Sequence, residues 1–308
     1  MQFKSNYLLK NTTTLQIGGP AKMFVEVYSV DELIKAIKYA KDNKLEYLVI
    51  GGGSNLLISD LGFNGLIIKN EIKGSKREGN KLIVQSGTVL QILVESAIMH
   101  GLSGLEKLTG IPGTVGGAVY GNAGAYGQTI SDTISQVKAF NGQNIFILTK
   151  DQCQFNYRDS IFKKNGVIIL EVIFTLDPFD PSFLTIDARE VLKKRLVKYP
   201  PGIKCPGSFF KNIVASTLPK EILEKIPPEK IVYGKLPAGS LLEEVGAKGD
   251  ALDGIYIADY HANLFVNKGN GTAQTFYDLA KKYAIKVKEK FGISLEPEVQ
   301  LINLPHLY

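Results

Sequence analysis

Two glycine runs mark places where backbone can meet a phosphate. The first is Gly51-Gly52-Gly53-Ser54-Asn55, directly after the apolar run at residues 45–50. Without a Cβ, glycine lets main-chain N–H groups approach an anion closely. A plain tight turn explains the triplet equally well. A dinucleotide fingerprint needs a further glycine that opens a helix, but Leu56 follows here, and Gly62 and Gly65 argue against a helix. The Gly-Lys-Ser/Thr of a nucleotide-hydrolase phosphate loop is also absent. The second run holds Gly110, Gly113, Gly116, Gly117, Gly121, Gly124 and Gly127. In a packed helix each glycine costs about 1 kcal/mol relative to alanine. Either this backbone lies against a ligand, or it makes several unusual turns. Its apolar flanks do not suit a flexible linker. Two such segments in one half of the chain predict a long ligand with a pyrophosphate at its middle.

The elements that must position these loops are readable in part. Ser29 and Asp31 precede Leu33, Ile34, Ile37 and Ala40 at helical spacing. Strands are predicted at residues 45–50, 66–69, 81–85, 137–140, 144–148 and 167–176. Thr88 is expected to cap a helix that runs to Met99 and stops at Gly101. A helix at residues 187–199 is halted by Pro200-Pro201. The prolines at 178 and 181 suggest a boundary, giving residues 1–180 as one domain (subdomains at about 1–70 and 71–180) and 190–308 as another. In the last third, short strands at 255–258 and 264–266 accompany an amphipathic helix at Ala273–Phe291, between Thr272 and Gly292. The class is α+β, without the long strand–helix alternation of a doubly wound sheet.

Composition narrows the function. The chain of 308 residues is 44% hydrophobic and 21% charged, as expected of a soluble globular protein. No apolar run approaches the ~20 residues that span a bilayer, and the start lacks a signal-peptide pattern. A cytoplasmic protein with no membrane association is expected. Cys153 and Cys205 are too few for a disulfide scaffold, and with His100, His261 and His306 scattered no metal site is expected. The net charge of +6 is spread along the chain, with only short clusters such as Lys193-Lys194-Arg195 and Lys281-Lys282. That distribution suits small polyanions rather than nucleic acid.

The run GLEKLTGIPGTVGGAVYGNAGAYG, starting at Gly104, lies among further motifs. They are IGGPA from Ile17, GGGSNLLISD from Gly51, YRDS from Tyr157, GSFFKN from Gly207, AGSLLEEVGAKG from Ala238, HANLFVN from His261 and LEPEV from Leu295. In this order they cover nearly the whole chain, which resembles the UDP-N-acetylenolpyruvoylglucosamine reductase family. The resemblance implies a vanillyl-alcohol-oxidase (PCMH) type FAD domain and a smaller C-terminal α+β substrate domain. It also implies the shorter subtype that lacks a tyrosine-bearing loop. The FAD would be noncovalent, NADPH the hydride donor, and UDP-N-acetylglucosamine enolpyruvate the substrate, reduced to UDP-N-acetylmuramate by a monomer. By resemblance FAD contacts Gly51, Gly52, Gly53, Ser54, Asn55, Leu56, Gly87, Thr88, Ile111, Pro112, Gly113, Gly116, Gly117, Asn122, Ala123, Gly124 and Ile168. Two rival readings are a flavin oxidase of the same fold and a non-catalytic UDP-sugar binding protein. YRDS, GSFFKN and EPEV argue against the first, and the glycine segments against the second.

Roles follow from the chemistry the resemblance implies. Hydride adds to the terminal carbon of an enol ether, and charge spreads into the neighbouring carboxylate. Arg158 offers a permanently charged fork for that carboxylate. Ser208 is the implied proton donor, with Lys211 near enough in sequence to help. Glu298, the second carboxylate of EPE, needs to be protonated or paired beside developing negative charge; only motif position separates it from Glu296. Arg195 and Lys198 fall on one helical face suited to the diphosphate. Tyr126 and Asn212 are expected to contact the sugar and nucleotide, and Tyr157, on the substrate side, to pack or to orient Arg158. The sequence departs from the family pattern at Gln16, at Lys204-Cys205-Pro206 and at Gln300, which touches ligand contacts rather than the reaction.

Overall fold

Ser29 starts the first helix. Its hydroxyl accepts from the Glu32 amide, and Leu33, Ala36, Ile37 and Ala40 form the buried face of Val30–Asp42. The computed structural model, which describes residues 1–224 and 226–308, groups the chain into two units. The first takes Met1–Tyr7, Ala21–Gly52 and Asn64–Pro200; the second takes Leu8–Pro20, Gly53–Phe63 and Pro201–Tyr308. The grouping is thus not a single cut in the sequence. Helices and strands are mixed in both, in the expected α+β class.

The first unit holds two sheets. One has the order Lys4–Leu8, Pro20–Val27, Phe63–Asn70, Tyr47–Ile50, and its last pair is parallel. Val25, Leu66 and Ile68 pack it against the face of Val30–Asp42. The other is antiparallel, in the order Ile145–Thr149, Ile134–Phe140, Ile168–Thr175, Lys81–Gln85, Ser75–Glu78. Leu82 and Val84 alternate inward with Val137 and Val172, against Leu90, Leu93 and Val94 of helix Leu90–Met99.

Two local expectations are corrected. Thr88 does not cap helix Leu90–Met99: Val89 holds that position without a side-chain bond. The buried Thr88 hydroxyl lies instead 3.1 Å from both the N and the O of Gly74, which ties two loops together. The helix expected at residues 187–199 begins at Pro181, because the Asp180 carboxylate accepts from the Ser182 amide at 2.8 Å and proline suits the first helical turn.

The second unit is built around helix Ala273–Phe291. Thr272 caps it, and the Asp60 carboxylate accepts from the amides of Ala273 and Gln274 at 2.9 and 3.0 Å. Gly292, left-handed at φ 70°, ends it. Phe276, Leu279, Ala280, Tyr283 and Val287 form its buried face. Strands Ala251–Leu252, Ile255–Ile257 and Phe265–Asn267 pair antiparallel, while Leu56–Ile58 pairs parallel with Gln300–Ile302. Among the described residues no helix is long and apolar enough to cross a membrane. No group of three His, Cys, Asp or Glu among them could hold a metal ion.

Candidate active site

The first unit brings its two glycine segments together. A Cβ on Gly51 would lie 2.3 Å from Thr114 Oγ1, and one on Gly52 would lie 2.9 Å from the Gly113 Cα. Gly116 donates to the Ser86 carbonyl at 2.8 Å, and its Cβ would come within 3.0 Å of that oxygen. Gly87 is walled in by Ile72 and the Asn70 carbonyl. These glycines answer to close approach within the protein, so part of the sequence pattern is packing. Gly117 differs. It is exposed in the short helix Val115–Tyr120, and its Cβ would only touch Thr114 Oγ1 at 3.4 Å. The protein itself does not require a glycine there, although it costs about 1 kcal/mol in a helix; a ligand lying on that face would require it.

Asn122 gives a second sign of a ligand. It is 5% exposed, with a left-handed φ of 43°. Its Nδ2 donates to the Asn156 carbonyl at 2.9 Å, while its Oδ1 is buried with no hydrogen-bond partner among the described residues. Leaving a buried acceptor unmet costs about 1–3 kcal/mol. A flavin nucleotide fits this donor–acceptor set: its pyrophosphate suits close backbone, and its ring carries an N–H donor.

Arg158 sits on a tight turn beside these groups. The amides and carbonyls of Asn156 and Asp159 bond both ways, at 3.0 and 3.1 Å, and the Tyr157 amide donates to Asn156 Oδ1. Arg158 takes φ 53°, a left-handed conformation that costs a side-chain-bearing residue about 1–2 kcal/mol. Its Nη1 and Nη2 donate to the carbonyls of Asn122 and Gly124 at 3.4 and 2.9 Å. Its Cζ is 5.5 Å from the centre of the Tyr157 ring. The rest of YRDS anchors the turn. The buried Ser160 hydroxyl donates to the Tyr120 carbonyl at 2.7 Å. Burial alone would raise the Asp159 carboxyl, but the Lys164 ammonium at 2.7 Å and the Ser160 amide hold it below its ordinary value.

A second guanidinium lies near the first. Arg195 comes from helix Pro181–Lys198, and its Cδ and Nε reach within 3.4 Å of where a Cβ on Gly110 would be. Burial lowers its pKa from the ordinary value; Tyr199 and Tyr126 oppose this, and the Arg158 charge adds to it. Its Nε is buried without a hydrogen-bond partner among the described residues. The Tyr199 ring gathers the cations: Arg195 Cζ is 5.3 Å and Lys198 Nζ 5.1 Å from its centre. Tyr126 is exposed at a hairpin tip, where both it (φ 51°) and Gly127 (φ 84°) are left-handed, as a tight two-residue turn demands. Positive charge gathered on this half-buried surface suits a multiply charged anion.

The second unit positions the other candidates. Ser208 forms a bridge with Leu264 and precedes two fully buried rings, Phe209 and Phe210, which pack against Phe265 and Phe276. Asn263 brackets Phe210, donating to its carbonyl and accepting from its amide, both at 2.8 Å. The Glu298 amide donates to the Phe209 carbonyl at 2.7 Å, so Ser208 and Glu298 lie on neighbouring backbones. Asn55 Nδ2 donates to the Glu298 carbonyl at 3.0 Å. The two carboxylates of EPE differ clearly. Glu296 is 75% exposed and paired with Lys211 at 3.1 Å, whereas Glu298 is half-buried. Lys211 is engaged with Glu296. Asn212 Oδ1 accepts from the Ala238 amide at 3.2 Å. A Cβ on Gly53 would fall 1.8 Å from the Thr12 carbonyl, so only glycine fits.

The remaining candidates are less distinctive. Ile111 and Ala123 pack on the core under helix Leu90–Met99, Ile168 on the core under Val30–Asp42, and Leu56 pairs with Gln300. Pro112 is exposed and Ser54 half-buried. Sequence reasoning overlooked Thr114, Asn156 and Lys163. The order Thr114-Val115-Gly116-Gly117 carried a cap signal, since Thr114 Oγ1 accepts from the Gly117 amide. Nothing in the sequence announced the bond from Lys163 Nζ to the Arg158 carbonyl at 2.7 Å.

Residues 21–144 match the model of the FAD binding domain, and residues 199–302 that of the UDP-N-acetylenolpyruvoylglucosamine reductase C-terminal domain. The chain is 42% identical over 292 residues to the UDP-N-acetylenolpyruvoylglucosamine reductase of Solibacter usitatus, covering 94% of both chains. Identity to the enzyme of that name from Caldicellulosiruptor bescii is 36% over 308 residues, covering 98% of this chain and 91% of the other. The crystal structure of the reductase from Thermus caldophilus superposes with a TM-score of 0.79 at 31% identity, covering 98% of this chain and 99% of that one.

Proposed function

Because the chain belongs to the UDP-N-acetylenolpyruvoylglucosamine reductase family, we propose how its own residues divide the work of that reaction. The protein is an FAD-dependent oxidoreductase that reduces the enolpyruvyl group of UDP-N-acetylglucosamine enolpyruvate in peptidoglycan synthesis. When bound, FAD supplies the two-electron hydride chemistry. NADPH is the proposed electron donor, and the enzyme works as a monomer in the cytoplasm.

Arg158 grips the substrate carboxylate. Hydride adds to the terminal methylene carbon, the double-bond pair moves into the carboxylate as an enediolate, and Arg158 stabilises that charge. The carrying observation is the Arg158 guanidinium itself, held on the carbonyls of Asn122 and Gly124. Ser208 then gives its hydroxyl proton to the carbon next to the carboxylate, completing the lactyl ether. Glu298 shapes the carboxylate's surroundings or returns a proton to Ser208. Arg195 and Lys198 hold the diphosphate, with Tyr126 and Asn212 toward the sugar and nucleotide; Lys211 stands at the edge, tied to Glu296.

The test is visible absorbance through one anaerobic cycle. The purified protein should be yellow, bleach with NADPH, and regain its colour on addition of the enolpyruvyl substrate without oxygen. Ser208→Ala should bleach normally and fail to regain colour. A wild-type protein that recovers only in air is a different flavin oxidase. One that cannot be reconstituted with FAD has no place in this reaction.

A further inference from the structure

The segments at residues 120–124 and 156–160 are clamped to each other around Arg158. The carbonyls of Tyr120, Asn122 and Gly124 accept in turn from Ser160 Oγ, Arg158 Nη1 and Arg158 Nη2. Asn122 Nδ2 closes the same contact from the other side by donating to the Asn156 carbonyl. The guanidinium meets both carbonyls from a left-handed Arg158 backbone. That conformation is disfavoured for a residue with a Cβ, so something must hold it.

The paired Asn156 and Asp159 backbones close the turn, and one side chain, Lys163, bonds the Arg158 main chain itself. Its Nζ donates to the Arg158 carbonyl at 2.7 Å, reaching back past the turn, and lies 5.8 Å from the centre of the Tyr120 ring. Its own place is fixed by its neighbours: Phe162 is 2% exposed in the core, and Ser160 is fully buried on the Tyr120 carbonyl. An ammonium donor makes a stronger bond to a carbonyl than a neutral amide does. The neighbouring Lys164 takes no part; it pairs with Asp159 on the exposed side.

We propose that Lys163 is a positioning residue for the reduction step: it fixes the carbonyl of Arg158, and through it the left-handed backbone that aims the guanidinium at the substrate carboxylate. This rests on the reading of Arg158 given above. It assigns Lys163 no contact with substrate and no proton transfer.

The experiment uses the FAD-loaded, full-length enzyme and times its two half-reactions separately under anaerobic conditions. Lys163→Met should slow recovery of colour with the enolpyruvyl substrate about 10- to 100-fold, the range expected if the whole worth of one charge-assisted hydrogen bond is felt through Arg158. Bleaching by NADPH, flavin content and Tm should stay close to wild type, and the loss should fall on the rate at saturating substrate. Lys163→Arg should restore much of that rate, since a guanidinium can also donate to the carbonyl. Lys164→Met is the comparator and should change neither half-reaction by more than about twofold. In an Arg158→Ala background, Lys163→Met should add little, because both act on one contact. Equal slowing of both half-reactions with a lowered Tm and no rescue by arginine would make Lys163 merely structural and overturn the proposal. A normal recovery rate in Lys163→Met beside a crippled Arg158→Ala overturns it too, leaving the Arg158 reading intact. A normal rate in Arg158→Ala alone removes that reading, and this inference with it.

Discussion

Asn55 and Glu298 are bound to one another through the backbone: Asn55 Nδ2 donates to the Glu298 carbonyl at 3.0 Å, and the amide of Gln300 returns a bond to the Asn55 carbonyl at 3.0 Å. The end of the first glycine loop and the EPEV segment therefore move as one piece, continued by the parallel pairing of Leu56 with Gln300. Asn55→Ala should lower Tm by about 1–2 °C, from a net hydrogen-bond worth of about 0.5–1.5 kcal/mol in a chain of this size. It should also slow recovery with the enolpyruvyl substrate. Asn55→Asp should be worse, because it sets an acceptor against the Glu298 carbonyl. Calorimetry and the anaerobic cycle check both; the reverse order of severity would show that the link does not matter.

Two adjacent glycines should fail differently. A methyl on Gly116 meets Ser86 within 3.0 Å, so Gly116→Ala should cost stability, on the order of 1–3 kcal/mol of overpacking. A methyl on Gly117 meets nothing closer than 3.4 Å, so Gly117→Ala should fold as well as wild type or slightly better. Its defect should appear as weaker FAD binding, measured by titrating the flavin-free protein. If Gly117→Ala binds FAD normally, that face of the short helix does not meet the cofactor.

Arg195 is half-buried beside tyrosines and near Arg158. Arg195→Met should raise KM for the UDP substrate about 10- to 100-fold and change kcat little, since it removes binding made equally before and during reaction. The salt dependence of kcat/KM should flatten in the variant. A fall in kcat with KM unmoved would instead place Arg195 among the groups acting on the reacting atoms.

Asp250 gives a pH prediction. Its carboxyl is lowered first by the hydrogen bond from Lys282 at 2.7 Å, then by that from Tyr283 at 2.7 Å, against burial. A folded pKa below the unfolded value of about 3.9 contributes stability that is present above that pH and lost as pH falls through the lower folded value. The Tyr283 hydroxyl is raised, first by burial and then by Asp250. Its contribution is therefore present below pH ~10 and is lost as pH rises further. Asp250→Asn should flatten the fall in Tm below about pH 4. Parallel Tm curves for the variant and wild type across pH 2.5–7 would remove Asp250 from the account.

Much of this was legible in the sequence. Helix Ala273–Phe291 and its caps stand where periodicity put them, because Thr272, Gly292 and the apolar face all agree. The glycine runs marked the cofactor half, but their types could not separate Gly117 from Gly116, since close packing and ligand contact select the same residue. The left-handed Arg158 was unreadable: sequence rules expect glycine or asparagine there, and its partners are the Lys163 ammonium and carbonyls more than thirty residues upstream. The early start at Pro181 has a local signal in Asp180-Pro181, a capping carboxylate followed by a first-turn proline. The pairing of Leu56–Ile58 with Gln300–Ile302 has no local signal at all.

That last pairing carries a consequence for how the chain emerges from a ribosome. The second unit draws Leu15, Ile17 and Leu57 into one core with residues beyond 208, and its strand at residues 56–58 finds its partner only in the final residues. Two early segments must therefore wait through most of synthesis with apolar side chains unsatisfied, a high-contact-order arrangement that folds slowly. No single cut yields two self-sufficient halves. A fragment from Pro201 onward would lack the three inward residues that the early segments provide, and a fragment ending at Pro200 would carry those segments with nowhere to pack. A gene for this protein cannot be split at its apparent domain boundary as a two-domain fusion can.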